Sequence, residues 1–236
     1  MRVLVAVVLV GLATGISAQS DAPTEEYNCQ PHPVCNLDEL SRCQTELNTN
    51  LGIDPSLNVS TYQQLQDAME EYLGGGVNHL SLLCFNIRSF KQCFNNPQDY
   101  DNCAYFALGL VGDRYCEPTG ISEKQARGYV RMYASFDFAC GVGFSHYWNA
   151  ENATSGGGCM SDVFTNKIAA LQSCQDQFDQ SIAADSMDSC PYLGEASRCY
   201  RNVFGNCNSF GTWFGCEYEQ TGLQAAYGNC GDDACV

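Results

Sequence analysis

The sequence predicts a mainly α fold in which disulfides staple a helical array. Three observations predict it: sixteen cysteines without any C-x-x-C pair, segments whose apolar residues recur three and four apart, and no alternating apolar run of useful length.

The chain opens with Arg2, an apolar run over residues 3–12 and then small and polar residues up to Gln19. This is the layout of a secretory signal peptide, with cleavage expected after Ala18, so residues 1–18 are read as a leader. The apolar run is shorter than the roughly 20 residues a membrane helix needs, and no later stretch is longer, so no membrane span is expected. Residues 19–34 carry Pro23, Pro31 and Pro33 with little periodicity and read as an extended arm pinned by Cys29, with Cys35 as a second anchor.

Helical signals follow. Over residues 36–47, Leu40, Cys43 and Leu47 share one face. A second helix starts near Ser60, where Ser60 and Gln63 have capping-box spacing; Leu65, Ala68, Met69 and Tyr72 form its stripe, and Gly74, Gly75 and Gly76 end it. A third begins at Ser122 with Gln125 three residues on and carries Ala126, Tyr129, Val130, Tyr133 and Phe136 towards Cys140. Its opposite face holds Lys124, Arg127 and Arg131, read as a solvated face in preference to an anion site. A fourth is expected over residues 161–178, from Phe164, Ile168, Leu171, Cys174 and Phe178. Past Cys190, aromatics mix with glycine at Phe204-Gly205, Phe210-Gly211 and Trp213-Phe214-Gly215, which predicts short helices and tight turns. Those aromatics are expected to fill a thin core; a ligand platform is the sharper alternative.

The cysteines are Cys29, Cys35, Cys43, Cys84, Cys93, Cys103, Cys116, Cys140, Cys159, Cys174, Cys190, Cys199, Cys207, Cys216, Cys230 and Cys235. All follow the expected cleavage site, and His32, His79 and His146 do not complete zinc-finger spacings, so up to eight disulfides are expected. Asn58-Val59-Ser60 and Asn152-Ala153-Thr154 are sequons, making Asn58 and Asn152 candidate glycosylation sites. Cleavage would remove Arg2 and leave ten basic against 27 acidic residues, a net charge of −17. Such a surface repels nucleic acid and anionic lipid, whose binding depends on Lys and Arg.

The intervals suggest a duplication. Cys84, Cys93, Cys103 and Cys116 are separated by eight, nine and twelve residues, and Cys190, Cys199, Cys207 and Cys216 by eight, seven and eight. Dividing the chain into residues 35–158 and 159–236, with the arm assigned to the first part, leaves eight cysteines on each side. A coincidence among dense cysteines is the alternative.

Leu83-Cys84, the run from Phe90 to Phe94 through Cys93, and Phe136-Asp137-Phe138-Ala139-Cys140 with Cys159 and Cys174 at their following intervals resemble the 27 kDa haemolymph glycoproteins of insects. The eight-then-seven spacing through Cys190, Cys199 and Cys207 is similar too, and the resemblance covers roughly residues 60–230. The chain departs from that pattern in Gly74 to Gly76, Gly156 to Gly158 and the extra early and late cysteines. The nematode secreted helical cysteine-rich domains are a second possible kinship. Either resemblance implies an extracellular, glycosylated, helical body-fluid protein without known chemistry.

The residues name no catalytic, cofactor-binding or metal-ligating set. Gly143-Phe144-Ser145-His146 lacks the second glycine of a nucleophile elbow, since Tyr147 stands in its place. The glycine runs lack the Lys-Ser/Thr of a phosphate loop. The expectation is therefore a non-enzymatic, cofactor-free extracellular protein. It carries a small hydrophobic ligand or, alternatively, binds another extracellular protein as an inhibitor, immune factor or venom-like effector.

Overall fold

Asn36 begins the helical array by accepting the Glu39 amide on its side-chain oxygen, which caps helix α1, Leu37–Leu51. In this computed structural model the described residues are 33–112, 118–153, 157–185, 189–228, 230, 234 and 235. The leader over residues 1–18, most of the 19–34 arm, Cys29, His32, Cys116, Thr154 and Gly156 lie outside them. Among the described residues there are eleven α-helices, one short 3-10 turn and no strand, which makes the fold mainly α.

The buried face of α1 carries Leu40, Cys43 and Leu47 as the spacing predicts, then continues to Leu51 before Gly52 turns left-handed at φ 71°. The second helix starts differently from its sequence expectation. A 3-10 turn, Val59–Thr61, precedes α2, Tyr62–Leu73, and the capping box is formed by Asn58 and Thr61 instead of Ser60 and Gln63. Gly74 ends α2 as expected. The chain continues through α3, Val77–Cys93, α4, Pro97–Ala104, and α5, Ala107–Val111.

Helix α6, Glu123–Cys140, starts on the predicted capping box: Ser122 Oγ accepts the Gln125 amide and Gln125 Oε1 accepts the Ser122 amide. It is the axis of the protein, because Tyr129, Val130, Met132, Tyr133, Phe136 and Ala139 are all buried and point to more than one side. Phe90 of α3 stacks on Tyr133 at 5.0 Å between ring centroids, and Tyr218 meets Phe136 edge-on at 5.9 Å. Helix α7 is Gly143–Asn152.

The helix expected over residues 161–178 is two: α8, Cys159–Asn166, and α9, Ile168–Ala184, broken at Lys167. The break lets the pieces diverge: α8 packs against α2 and α7, while α9 packs mainly against α10, Cys190–Val203, and touches α2 only lightly. The last helix, α11, Asn208–Tyr227, replaces the short helices expected there. Its glycines are contact points rather than breaks. A Cβ on Gly215 would overlap the Phe204 ring, and one on Gly222 would meet Ser135 and the Arg131 carbonyl of α6. Phe204, Phe214 and Tyr218 are fully buried and fill the core, while Phe210 stays exposed at the start of α11.

Seven disulfides staple the described helices. Cys35–Cys103, Cys43–Cys93 and Cys84–Cys140 lie before residue 159; Cys159–Cys207, Cys174–Cys199, Cys190–Cys230 and Cys216–Cys235 lie after it. No described bridge crosses that point, yet the core does: α6 from the first part and α11 from the second make the most extensive helix contact, within one hydrophobic cluster.

Candidate functional site

Lys124, Arg127 and Arg131 project along one side of α6, and this side is not a solvated face. It descends from the surface into the core between α9 and α11. At the surface, Lys124 Nζ pairs with Asp179 Oδ2 of α9 at 2.8 Å. One turn deeper, Arg127 pairs with Glu123 Oε1 at 2.7 Å, donates to the Ala226 carbonyl of α11 at 2.6 Å, and lies over the Tyr227 ring. Deepest, Arg131 is 5 % exposed, lies over the Phe178 ring and pairs with Glu219 of α11, itself fully buried.

The outer part of this seam opens into a groove of about 400 Å³. Ile182 and Ala183 of α9 and Tyr227 of α11 supply an apolar wall, with Lys124, Arg127 and Ser189 among the polar groups lining it. The volume lies within the roughly 300–1,000 Å³ range of small-molecule pockets. Each cation already has an acidic partner, so a ligand anion would compete with Asp179 or Glu123. The arrangement suits an apolar body with a hydrogen-bonding end better than a bare anion.

Below the groove lies a buried polar cluster that the apolar periodicity missed. Glu70 of α2 is fully buried; its Oε1 accepts from Gln66 Nε2 at 2.9 Å and from the Tyr218 hydroxyl at 3.3 Å. Burial pushes its carboxyl up to about 7; the Gln66 hydrogen bond opposes the shift, and the Glu219 charge adds to it. Burial also raises Glu219, while the charge and hydrogen bond of Arg131 pull it back. Glu70 Oε2, Glu219 Oε2 and Arg131 Nε are buried without a hydrogen-bond partner among the described residues. A signal was present in the sequence: Gln66 and Glu70 fall on the same face as Tyr62, Leu65, Met69 and Leu73, where a polar residue has to be explained.

A second, smaller groove of about 260 Å³ lies between α1 and the 3-10 turn. Leu37 and Leu40 face Val59 and Ile121, and Gln44 and Tyr129 also line it. Two tyrosines hold Gln44, since Tyr129 and Tyr133 both donate to its Oε1, at 2.6 and 2.8 Å. The sequon residues Asn58, Val59 and Ser60 lie along this groove, whereas Asn152 is the last residue of α7.

The remaining sequence candidates sit apart. His79 stacks on Tyr72 with its Nδ1 2.9 Å from the Tyr72 carbonyl. His146 lies within α7, packed on Trp213 at 3.9 Å and Phe210 at 5.6 Å. Ser145 is exposed on the same helix, without the strand-turn-helix setting of a nucleophile elbow. Fourteen of the cysteines are paired as given above, and no group of three or more potential metal ligands occurs among the described residues.

No protein family, curated protein or solved structure matches this chain.

Proposed function

We propose that this chain is a secreted, glycosylated body-fluid protein of the haemolymph type that carries a small hydrophobic ligand in the α6–α9–α11 groove and catalyses no reaction. The observation that carries the reading is the groove itself, about 400 Å³ with Ile182, Ala183 and Tyr227 on one side and hydrogen-bonding groups beside them. Two further features support it. Seven structural disulfides fit an oxidising extracellular setting. An acidic chain of net charge −16 suits a protein that stays dissolved in a concentrated fluid.

The test is titration of the purified protein with a fluorescent fatty acid, alongside Ala183→Trp, which places an indole in the groove. Saturable uptake by the wild type, reduced at least tenfold in A183W at an unchanged melting temperature, is expected. No uptake by the wild type, together with no small molecule found by native mass spectrometry of protein from its source, overturns the reading.

A second reading, recognition of another extracellular protein, draws on Val142, Trp148 and Phe210, which α7, its start and the start of α11 leave exposed. Capture from the native fluid by wild type but not by Trp148→Ala would favour it.

A further inference from the structure

We infer that Asn58 is an N-glycosylation site whose first N-acetylglucosamine seats in the groove between α1 and the Val59–Thr61 turn, as a fixed cover over Leu37 and Ile121. The inference rests on the export reading above, because the sugar donor is met only in the secretory lumen.

The geometry separates this sequon from the other one. Asn58 is exposed, and its side-chain oxygen is held by the Ser60 amide at 2.9 Å. That bond fixes the carboxamide plane and leaves the nitrogen as the reacting atom. Nδ2 donates one N–H to the Ser56 carbonyl at 3.0 Å and has a second N–H to give up. Glycosylation removes neither the Oδ1 bond that caps the turn nor the remaining N–H, so the modified residue keeps its structural role. Asn152 likewise gives one Nδ2 N–H to a carbonyl, that of Trp148, but it ends a helix and lies along neither of the two grooves, and Thr154 of its sequon lies outside the described residues.

The covalent step is a substitution. Asn58 Nδ2 attacks the anomeric carbon of a polyprenyl-pyrophosphate-linked oligosaccharide. The N–C bond forms, the C–O bond to pyrophosphate breaks, polyprenyl pyrophosphate leaves, and one Nδ2 proton is lost, with no change in oxidation state.

The sequon lines the groove along its whole length of three residues. A sugar bonded to Asn58 therefore starts at the rim of a cleft walled by Leu37, Leu40, Val59 and Ile121. Leu40 and Val59 are already buried, whereas Leu37 and Ile121 are half-buried; the acetamido methyl and apolar ring face remove these two from water, while the hydroxyls stay outward. Occupant and cleft are covalently tethered, so seating costs the ordering of the linkage torsions but no bimolecular association.

The experiment is expression in a eukaryotic secretory host with methyl labelling of Leu, Val and Ile, glycopeptide mass spectrometry, and trimming to a single N-acetylglucosamine. Ser60→Ala is the comparison: it deletes the sequon, while the Ser60 amide that donates to Asn58 Oδ1 and the Ser60 carbonyl that accepts from Gln125 remain. Occupied Asn58, with nuclear Overhauser contacts from the acetamido methyl to Leu37 and Ile121 that vanish in S60A, is the expected result. A secreted chain with Asn58 bare, or occupied without those contacts, overturns the inference and leaves the export reading standing. A chain kept in the cell overturns both.

Discussion

Arg131 of α6 and Glu219 of α11 form an ion pair in the interior, with 6 % and 1 % of their side chains exposed. It joins the two longest-contacting helices across the point that no described disulfide spans. Losing one partner strands a charge in a low-dielectric site, so Arg131→Met or Glu219→Leu should each cost about 3–5 kcal/mol. The double substitution should recover most of that loss. Guanidinium unfolding with the disulfides intact measures all three.

Glu70 makes stability depend on pH. Its folded carboxyl titrates near 7 against an unfolded value of 4.5, so between those values the native state binds more protons. The Glu70 contribution is fully present below pH 4.5, declines as pH rises to 7 and levels off above it, a total of about 3 kcal/mol. Glu70→Gln should flatten the decline between those limits. Urea midpoints collected across that range, for wild type and variant, check the sign.

Gly222 lets α11 approach α6, and a methyl group there would lie 2.7 Å from the Arg131 carbonyl and overlap the Ser135 hydroxyl. Gly222→Ala should destabilise by about 1–3 kcal/mol despite the better helix propensity of alanine. Adding Ser135→Gly relieves the hydroxyl but not the carbonyl, so only partial recovery is expected in thermal melts.

The bridges predict a fragmentation pattern. Cys29 and Cys116 both precede residue 159, so if they remain on that side no disulfide joins the two parts. A protease site placed between Ala153 and Gly157 should, after cleavage, yield a species that elutes intact in native gel filtration. In denaturant without reductant it should separate into two fragments, because noncovalent contacts, such as Phe136 against Tyr218 and the Arg131–Glu219 pair, are what join them among the described residues. A single non-reduced band would reveal a crossing bridge.

The sequence by itself determined what depends on local spacing. The face of α1, the capping box and core stripe of α6, and the glycine end of α2 follow from helical period and backbone chemistry within a few residues. What only the tertiary structure decided depends on which helix lies opposite. Lys167 interrupts a continuous apolar period where α8 turns to α7 and α9 to α10 as their main partners besides α2. Gly215 looks like a breaker in sequence, yet it and Gly222 act as contact points, since Phe204 and α6 fill the space a side chain would need. Arg131 reads as a solvent residue until Glu219 is brought to it, and Glu70, though its apolar-face position was visible, has its Tyr218 partner only in the folded chain. Periodicity records that a face is buried; it does not record the polar partner that allows a charge to be buried there.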